Sequence, residues 1–343
     1  MQRSLDEFLA ASAAGDDVSK AVARAVSAIA EASAALQAEI AKGSSWRVKA
    51  ASGTNAGGDV QQELDVIADR LYLDAAKRAG VAAYASEEQD EPFAIDAAGR
   101  VALAIDPLDG SSNIDTNVPI GTIFSLMPVA SGSDPARAFF QAGRAQVAAG
   151  FVIYGPRTAL ALTLGHGTSI FIYDHATRRY LEIADKVQIP REKNEYAINA
   201  SNYRFWDDAV RAFVDDCIAG ADGPIAADFN TRWIASLVAE AYRILGRGGV
   251  FLYPGDIRKG YRLGRLRLIY EANPIAFIAE QAGGGATTGD RRILDIVPES
   301  LHQRTPLVFG SSDHVERIQR YFRDPGSIAD RMPLFGRRGL LRA

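Results

Sequence analysis

The stretch Ile105-Asp-Pro-Leu-Asp-Gly-Ser-Ser-Asn-Ile-Asp115 joins an apolar run to a turn that carries two carboxylates. The run Val101-Ala-Leu-Ala-Ile105 has the length and composition of a short buried strand. It stops at Asp106-Pro107, where proline predicts a turn, and Asp109 returns a second carboxylate three residues later. Gly110, Ser111 and Ser112 follow with small side chains or none. Their successive N–H groups can form a concave anion site, strengthened if a helix begins there. One turn therefore couples two cation-binding carboxylates to a phosphate cradle. The same residues also spell an Asx-rich surface turn, and the stretch alone does not choose between the two.

A second acidic feature weighs on that choice. Glu87-Glu88 follows another apolar run, residues 81–85. If the two runs are neighbouring parallel strands that end together, Glu87, Asp106 and Asp109 converge. Two carboxylates about 4 Å apart repel by roughly 4 kcal/mol at an effective dielectric of 20, and a divalent cation relieves this. The available ligands are all oxygens, the Leu108 carbonyl among them, and no His or Cys is near. Oxygen-only ligation selects Mg²⁺ or Mn²⁺ over zinc. Taken alone, Glu87-Glu88 also fits a solvated acidic loop, and Asp59 with Gln62 fits a helix cap.

Working outward, Val22, Val26, Ile29, Leu36 and Ile40 recur at helical spacing. Asp16 or Asp17 caps this helix and Gly43 stops it. Residues 43–58 read as a loop. A second helix presents Leu64, Ile67, Leu71 and Ala75 and ends before Gly80. Residues 121–128, 146–154, 158–164 and 168–173 read as successive strands. Helices are expected over 206–219 and 234–245, and strands over 250–253 and 266–270. A last helix over 274–282 has proline in its first turn and Gly283-Gly-Gly285 after it. Helices followed by strands predict a layered α/β (α+β) fold. The polar, proline-containing region near residue 190 divides it into an N-terminal metal-binding and regulatory half (1–190) and a C-terminal substrate-binding half (191–331). Residues 332–343 read as a tail.

In the second half, Arg265-Leu-Arg267 leads into Tyr270-Glu271-Ala-Asn-Pro274. Arginine suits phosphate because its fork makes two parallel hydrogen bonds, and Glu271 at a strand end can add a metal ligand. Asn199, Asn202, Tyr203, Arg232, Trp233 and Tyr253 are polar or aromatic residues near expected element ends. Each alone is more often structural than functional.

Composition excludes several classes. Among 343 residues, 48% are hydrophobic and 23% charged, an ordinary globular balance. The formal charge of −4 lacks the basic excess of a duplex-coating protein, so no nucleic-acid partner is expected. No apolar stretch is long enough to span a membrane, and the N-terminus is not a secretory signal. The single Cys217 cannot form an internal disulfide or a cysteine zinc site, which fits a cytoplasmic protein. The four histidines have no metal spacing. The glycine cluster at 283–289 lacks both the order and the preceding strand of a dinucleotide site, and no phosphate-binding G-x-x-x-x-G-K-[ST] is present.

Residues 105–115, followed by Gly121-Thr-Ile-Phe124, resemble the signature of the class I fructose-1,6-bisphosphatases, lithium-sensitive, magnesium-dependent phosphatases with a D-P-[aliphatic]-D-G-[ST] core. Gln146-Val-Ala-Ala-Gly150, Gly248-Gly-Val-Phe-Leu-Tyr-Pro254, residues 266–274, Ala279-Glu-Gln-Ala-Gly-Gly284 and residues 294–304 extend the resemblance over roughly 15–325 and separate the chain from inositol monophosphatases. The resemblance implies metal ligands at Glu87, Asp106, Asp109, Glu271 and the Leu108 carbonyl, for two or three Mg²⁺. It implies that Glu88 and Asp65 orient or activate the attacking water, with Asp59 in support. Asp109, Gly110, Ser111, Ser112 and Arg267 match the site of the scissile 1-phosphate, and Asn199, Tyr203, Arg232 and Tyr253 that of the 6-phosphate. The arginine matching Arg232 reaches in from a neighbouring subunit of a homotetramer. The implied activity is hydrolysis of fructose 1,6-bisphosphate to fructose 6-phosphate and phosphate, in gluconeogenesis or the Calvin cycle. The rivals are sedoheptulose 1,7-bisphosphate as substrate and a catalytically silent sugar-phosphate-binding protein, the latter opposed by the intact carboxylates.

The chain departs from the family pattern at substrate-contacting positions, where Trp233 replaces tyrosine and Arg265 replaces lysine. It also departs at the AMP site that many members share. There the helix opens with Ala13-Ala-Gly-Asp-Asp17, a Lys-Tyr pair becomes Arg100-Val101, and an arginine position reads Met127-Pro128. Two aspartates repel a phosphate at that helix N-terminus, so weak or no AMP inhibition is expected.

Overall fold

The computed structural model describes residues 2–43 and 63–324. Asp59, the loop expected at 43–58 beyond Gly43, and the tail lie outside the described residues. In chain order the elements are α1 (Leu5–Ser12), α2 (Asp17–Ala41), α3 (Glu63–Ala79), β1 (Ala83–Ser86), β2 (Phe93–Ala94), β3 (Val101–Asp109), β4 (Ile120–Pro128), β5 (Ala148–Tyr154), β6 (Thr158–Thr163), β7 (Thr168–Asp174) and β8 (Arg179–Ala184). They continue with β9 (Glu195–Ala197), α4 (Asp208–Ala219), β10 (Asn230–Thr231), α5 (Leu237–Arg247), β11 (Val250–Tyr253), β12 (Leu266–Arg267), α6 (Asn273–Gln281), β13 (Gly285–Thr287), β14 (Arg304–Thr305), β15 (Leu307–Gly310) and α7 (Ser312–Arg323).

An eight-stranded sheet runs β2-β1-β3-β4-β5-β6-β7-β8, and a five-stranded sheet runs β10-β9-β11-β15-β13. Burial on both faces explains why β1 and β3 to β6 of the large sheet read as unbroken apolar runs. Along β5, Ala148, Val152 and Tyr154 join the core under α1–α3, while Ala149, Phe151 and Ile153 join the core under α5 and α6. The alternation is the two-residue period of a strand. The second sheet repeats the scheme. Phe251 faces α5 and α6, and Val250 and Leu252 face α4 and α7. The result is a five-layer α/β/α/β/α stack. Each fully buried Leu, Ile or Phe contributes about 1.5–3 kcal/mol.

Three expectations change. The first expected helix is capped by Asp16, whose Oδ1 accepts from Ser19 N at 2.9 Å, but a shorter α1 precedes it, opened by a Ser4–Glu7 capping box. The buried face of α3 is rotated from the expected one. Leu64, Ala68, Tyr72 and Ala75 are buried with Asp65 and Asp69, while Ile67 and Leu71 are half-buried. Nor does the chain turn at Pro107. It stays extended through Asp109, and the β3–β4 register shifts between Asp106 and Asp109. A proline is accommodated in a strand where the ladder is already broken.

Candidate active site

β1 and β3 are parallel neighbours, with Ser86 opposite Ile105. The expected convergence of their ends follows, and Glu87 N donates to the Ile105 carbonyl at 3.1 Å. Asp106 comes next on β3 and Asp109 lies past the irregularity. Leu108 N donates to Asp106 Oδ1 at 3.0 Å. From the other side, α5 brings Val238 N to 3.3 Å from Asp109 Oδ2. That approach requires Gly121 on β4, where a Cβ would lie 2.6 Å from Val238 Cγ2 and 2.4 Å from the Val152 carbonyl.

Glu271 arrives by a route that the sequence did not predict. The strand expected over 266–270 ends at Arg267, and Leu268–Ala272 forms a π-helical turn running into α6. Such turns occur mostly as single insertions in α-helices. Here the turn folds Glu271 back so that its Oε2 accepts from Arg267 N at 2.5 Å. Asp106, Asp109 and Glu271 then offer carboxylate oxygens within 4.8 Å of one another, all three buried. Among the described residues this is the one group of such side chains placed to hold a metal ion.

The electrostatics follow from burial. Desolvation, then the charges of Glu87, Asp109, Glu271 and Glu88, hold the Asp106 carboxyl well above its ordinary range. Desolvation pushes Asp109 up to about 7, against the Val238 hydrogen bond and with Glu87 adding to the rise. Glu271 is also raised well above its ordinary value, by burial first and then by Glu87 and Asp109. Arg267 is buried, its Nε 3.5 Å from Glu87 Oε1. Glu88 lies on the loop leaving β1 and acts on the Asp106 charge, and Asp65 is buried in the first turn of α3. Gly110 takes the left-handed conformation (φ 77°) that starts a short 3₁₀ turn at Ser111–Thr116. The turn expected to seat an anion is thus placed directly after the carboxylates.

The expected distal residues are carried by other elements of the chain. Asn199 caps the 3₁₀ turn Ala200–Phe205, and the Tyr203 hydroxyl donates to Asp215 Oδ1 at 2.8 Å. Trp233 stacks on Phe251 and Tyr253 at 5.9 and 6.3 Å between centroids. Tyr253 is near enough to feel the charges of both Arg265 and Glu271. Arg232 is half-exposed, with Nε 3.2 Å from Glu195 Oε1. Glu195 also meets Arg243 at 3.0 Å and Arg247 at 3.2 Å. Burial opposes its ionisation, but these cations outweigh it and its pKa falls. No local motif marks Glu195, because its partners lie 37–52 residues away in the chain.

Buried oxygen-only acids beside a buried arginine, followed at once by a glycine-started 3₁₀ turn and set on a layered α/β scaffold, fit a phosphatase that can work with a bound metal. The comparisons narrow the class. The family models described as the N-terminal and C-terminal domains of fructose-1-6-bisphosphatase match residues 5–185 and 189–323. "Fructose-1,6-bisphosphatase class 1" of Sinorhizobium medicae is 55% identical over 99% of both chains, and its counterpart in Rhizobium meliloti 54% identical over the same shares. A crystal structure of Leishmania major fructose-1,6-bisphosphatase in holo form superposes with a TM-score of 0.86 at 29% identity, covering 94% of this chain and 99% of that one. The chain belongs to the class 1 fructose-1,6-bisphosphatase family.

Proposed function

We propose that this enzyme hydrolyses the 1-phosphate of fructose 1,6-bisphosphate, releasing fructose 6-phosphate and phosphate, as part of carbohydrate metabolism. The observation that carries the reading is the buried Asp106–Asp109–Glu271 cluster in a chain of this family. Three carboxyls that burial and mutual repulsion make hard to ionise fit a divalent cation. Asp106, Asp109, Glu271, Glu87 and the Leu108 carbonyl would hold it, and hard oxygen ligands favour Mg²⁺, with Mn²⁺ the nearest substitute. Bound there, two or three such ions would neutralise the carboxylates and polarise the phosphate and its leaving oxygen.

The chain's own groups supply the rest. Arg267 holds a fixed positive charge for the equatorial oxygens of the 1-phosphate, and Gly110, Ser111 and Ser112 seat it. Glu88 and Asp65 orient the attacking water and accept its proton, with Asp59 in support. Asn199, Tyr203, Tyr253 and Arg265 receive the 6-phosphate and the sugar, and Trp233 keeps the aromatic wall. Arg232 serves the same site of a neighbour in a cytoplasmic homotetramer. Its half-exposed guanidinium, carried just after the exposed β10, supports that role. The division into two halves near residue 190 is part of the same reading, supported by the meeting of the two family models there. Among the described residues, no helix is long and apolar enough to cross a membrane.

The test is phosphate release from fructose 1,6-bisphosphate, sedoheptulose 1,7-bisphosphate and inositol monophosphate, with and without Mg²⁺. Mg²⁺-dependent turnover of the first is expected. Faster turnover of either of the others, or none at all, overturns the assignment. The relatives' names give no support to the seven-carbon substrate.

A further inference from the structure

Beside the proposed distal-phosphate residues, five side chains form a continuous stack. The guanidinium carbon of Arg204 lies 4.7 Å from the centre of the Phe205 ring, and that of Arg258 lies 4.6 Å from the same centre. Arg258 is also 4.7 Å from the Tyr261 ring centre, and Arg265 lies 4.8 Å from it. Three cations and two rings therefore alternate from Arg204 to Arg265. Arg265 in turn lies close enough to Tyr253 for its charge to act on the phenol, and Tyr253 is close enough to Glu271 for their charges to interact.

Arg258 holds the centre of this stack by more than stacking. Its Nε lies 3.0 and 3.1 Å from the two oxygens of Asp256, and its Nη2 is 2.5 Å from Asp256 Oδ2. Nη2 also donates to Asn202 Oδ1 at 3.1 Å. Asp256 is buried, and the Arg258 bonds keep it ionised below its ordinary pKa despite that burial. The backbone closes the loop on both sides, through Ile257 N to the Phe205 carbonyl at 3.1 Å and Asp256 N to the Tyr261 carbonyl at 3.1 Å. Arg258 thus ties the Asn199–Phe205 turn to the loop that delivers Arg265. Among the described residues, Asp256 is the one carboxylate bonded to these three cations, so the strip as a whole carries positive charge.

We infer that Arg258 is a positioning residue for the distal phosphate of the substrate. Sandwiched between two rings and clamped by Asp256, it fixes Tyr261, on which Arg265 rests, and Asn202, within the turn that Asn199 caps. The inference rests on the proposed function, because the distal group is the second phosphate of a sugar bisphosphate. A planar guanidinium can stack on two faces and bond a carboxylate side-on at once, which an ammonium cannot.

The experiment compares wild type with Arg258→Ala, Arg258→Lys and Tyr261→Phe. Calorimetry gives the affinity for fructose 6-phosphate, which carries only the distal phosphate. Inhibition by inorganic phosphate gives affinity at the scissile site, and steady-state kinetics give KM and kcat. For Arg258→Ala, KM for fructose 1,6-bisphosphate and Kd for fructose 6-phosphate should both rise about tenfold, while kcat and phosphate inhibition stay within about twofold. Arg258→Lys should recover little of this loss, and Tyr261→Phe should resemble wild type because the ring is kept. Unchanged KM and Kd in Arg258→Ala overturn the inference, as does an equal loss of phosphate inhibition, which marks general damage. Full recovery in Arg258→Lys overturns the stacking argument. Should Arg258→Ala fail to fold, the lysine variant decides the matter, since it keeps the charge and loses the plane. The sugar-phosphate calorimetry does not depend on turnover, so failure of the wild type to hydrolyse the bisphosphate is a separate result, damaging the proposed function.

Discussion

The carboxylate pocket and the arginine strip meet at β12, where Arg265 precedes the strand, Arg267 lies within it and Glu271 follows on the π-turn, yet they are built on opposite principles. In the pocket, like charges are buried together, and burial with mutual repulsion raises the pKa of Asp106, Asp109 and Glu271. In the strip, cations alternate with aromatic faces and Asp256 is held ionised. The pocket is strained until something positive enters it. The strip is satisfied as it stands and presents a preformed positive surface. The pocket stores repulsion that a cation can relieve, and the strip is organised as it stands.

The sharpest way to break this comparison is to take a charge from the pocket. Asp109→Asn should keep the fold, since the amide oxygen can still accept from Val238, but lose about two orders of magnitude or more in kcat. Near-normal turnover at limiting Mg²⁺ would rule out the ligand assignment, and wild type should lose activity to a chelator. A smaller effect is expected on the cationic side. Arg232→Ala should raise KM roughly ten- to hundredfold, the equivalent of a charge-assisted phosphate contact of about 1.5–3 kcal/mol, with a lesser change in kcat. The reverse split places Arg232 in the chemistry, and a fully active monomer at assay concentration removes the neighbour from the site.

The pocket's strain should also appear in stability. Asp109 titrates at about 7 in the folded, metal-free chain against about 3.9 for an unperturbed aspartate. The folded state therefore holds a proton that the unfolded state releases. Stability from this group is present at low pH and is lost as pH rises from about 4 through about 7. Thermal unfolding without metal should show the decline, and Mg²⁺ should raise the midpoint more at pH 8 than at pH 5. An equal shift at both pH values contradicts the stored repulsion.

The least effect is expected from AMP. The side chain of Asp16 already caps the N-terminus of α2, exposed Asp17 adds negative charge, and Arg100 is bonded to Ser131 Oγ at 2.5 Å. Met127 is buried in place of a cation. Activity at saturating Mg²⁺ should be unchanged by micromolar AMP. Half-inhibition in that range, with AMP seen at α2, would show that this terminus can serve as an anion site after all.

Much of the site was legible along the chain. Asp106, Asp109 and the small residues after them lie on one stretch, and the apolar run before Glu87 foretold a second strand ending beside it, because a strand's period and its terminating acids are local properties. Arg267 and Glu271 were legible as an arginine suited to phosphate and a carboxylate at an expected strand end, and the family resemblance supplied their roles. Other features depended on contacts across the chain. Pro107 reads locally as a turn, but pairing with β4 keeps it extended at a register shift. Residues 266–270 read as one strand, but packing of Leu268 and Ala272 under the sheet accompanies a π-turn that points Glu271 inward. The rotated face of α3 follows the buried Tyr72, whose hydroxyl meets Thr122 and Tyr154 at 2.9 Å. The Glu195 cluster and the Arg204–Arg265 stack join residues far apart in sequence, and nothing local distinguishes their arginines from solvated surface. Sequence alone determined which groups could do the chemistry, since residue type and spacing are written in it. Tertiary structure decided which of those groups are desolvated and which cations face a ring or a carboxylate, because charge depends on what surrounds it.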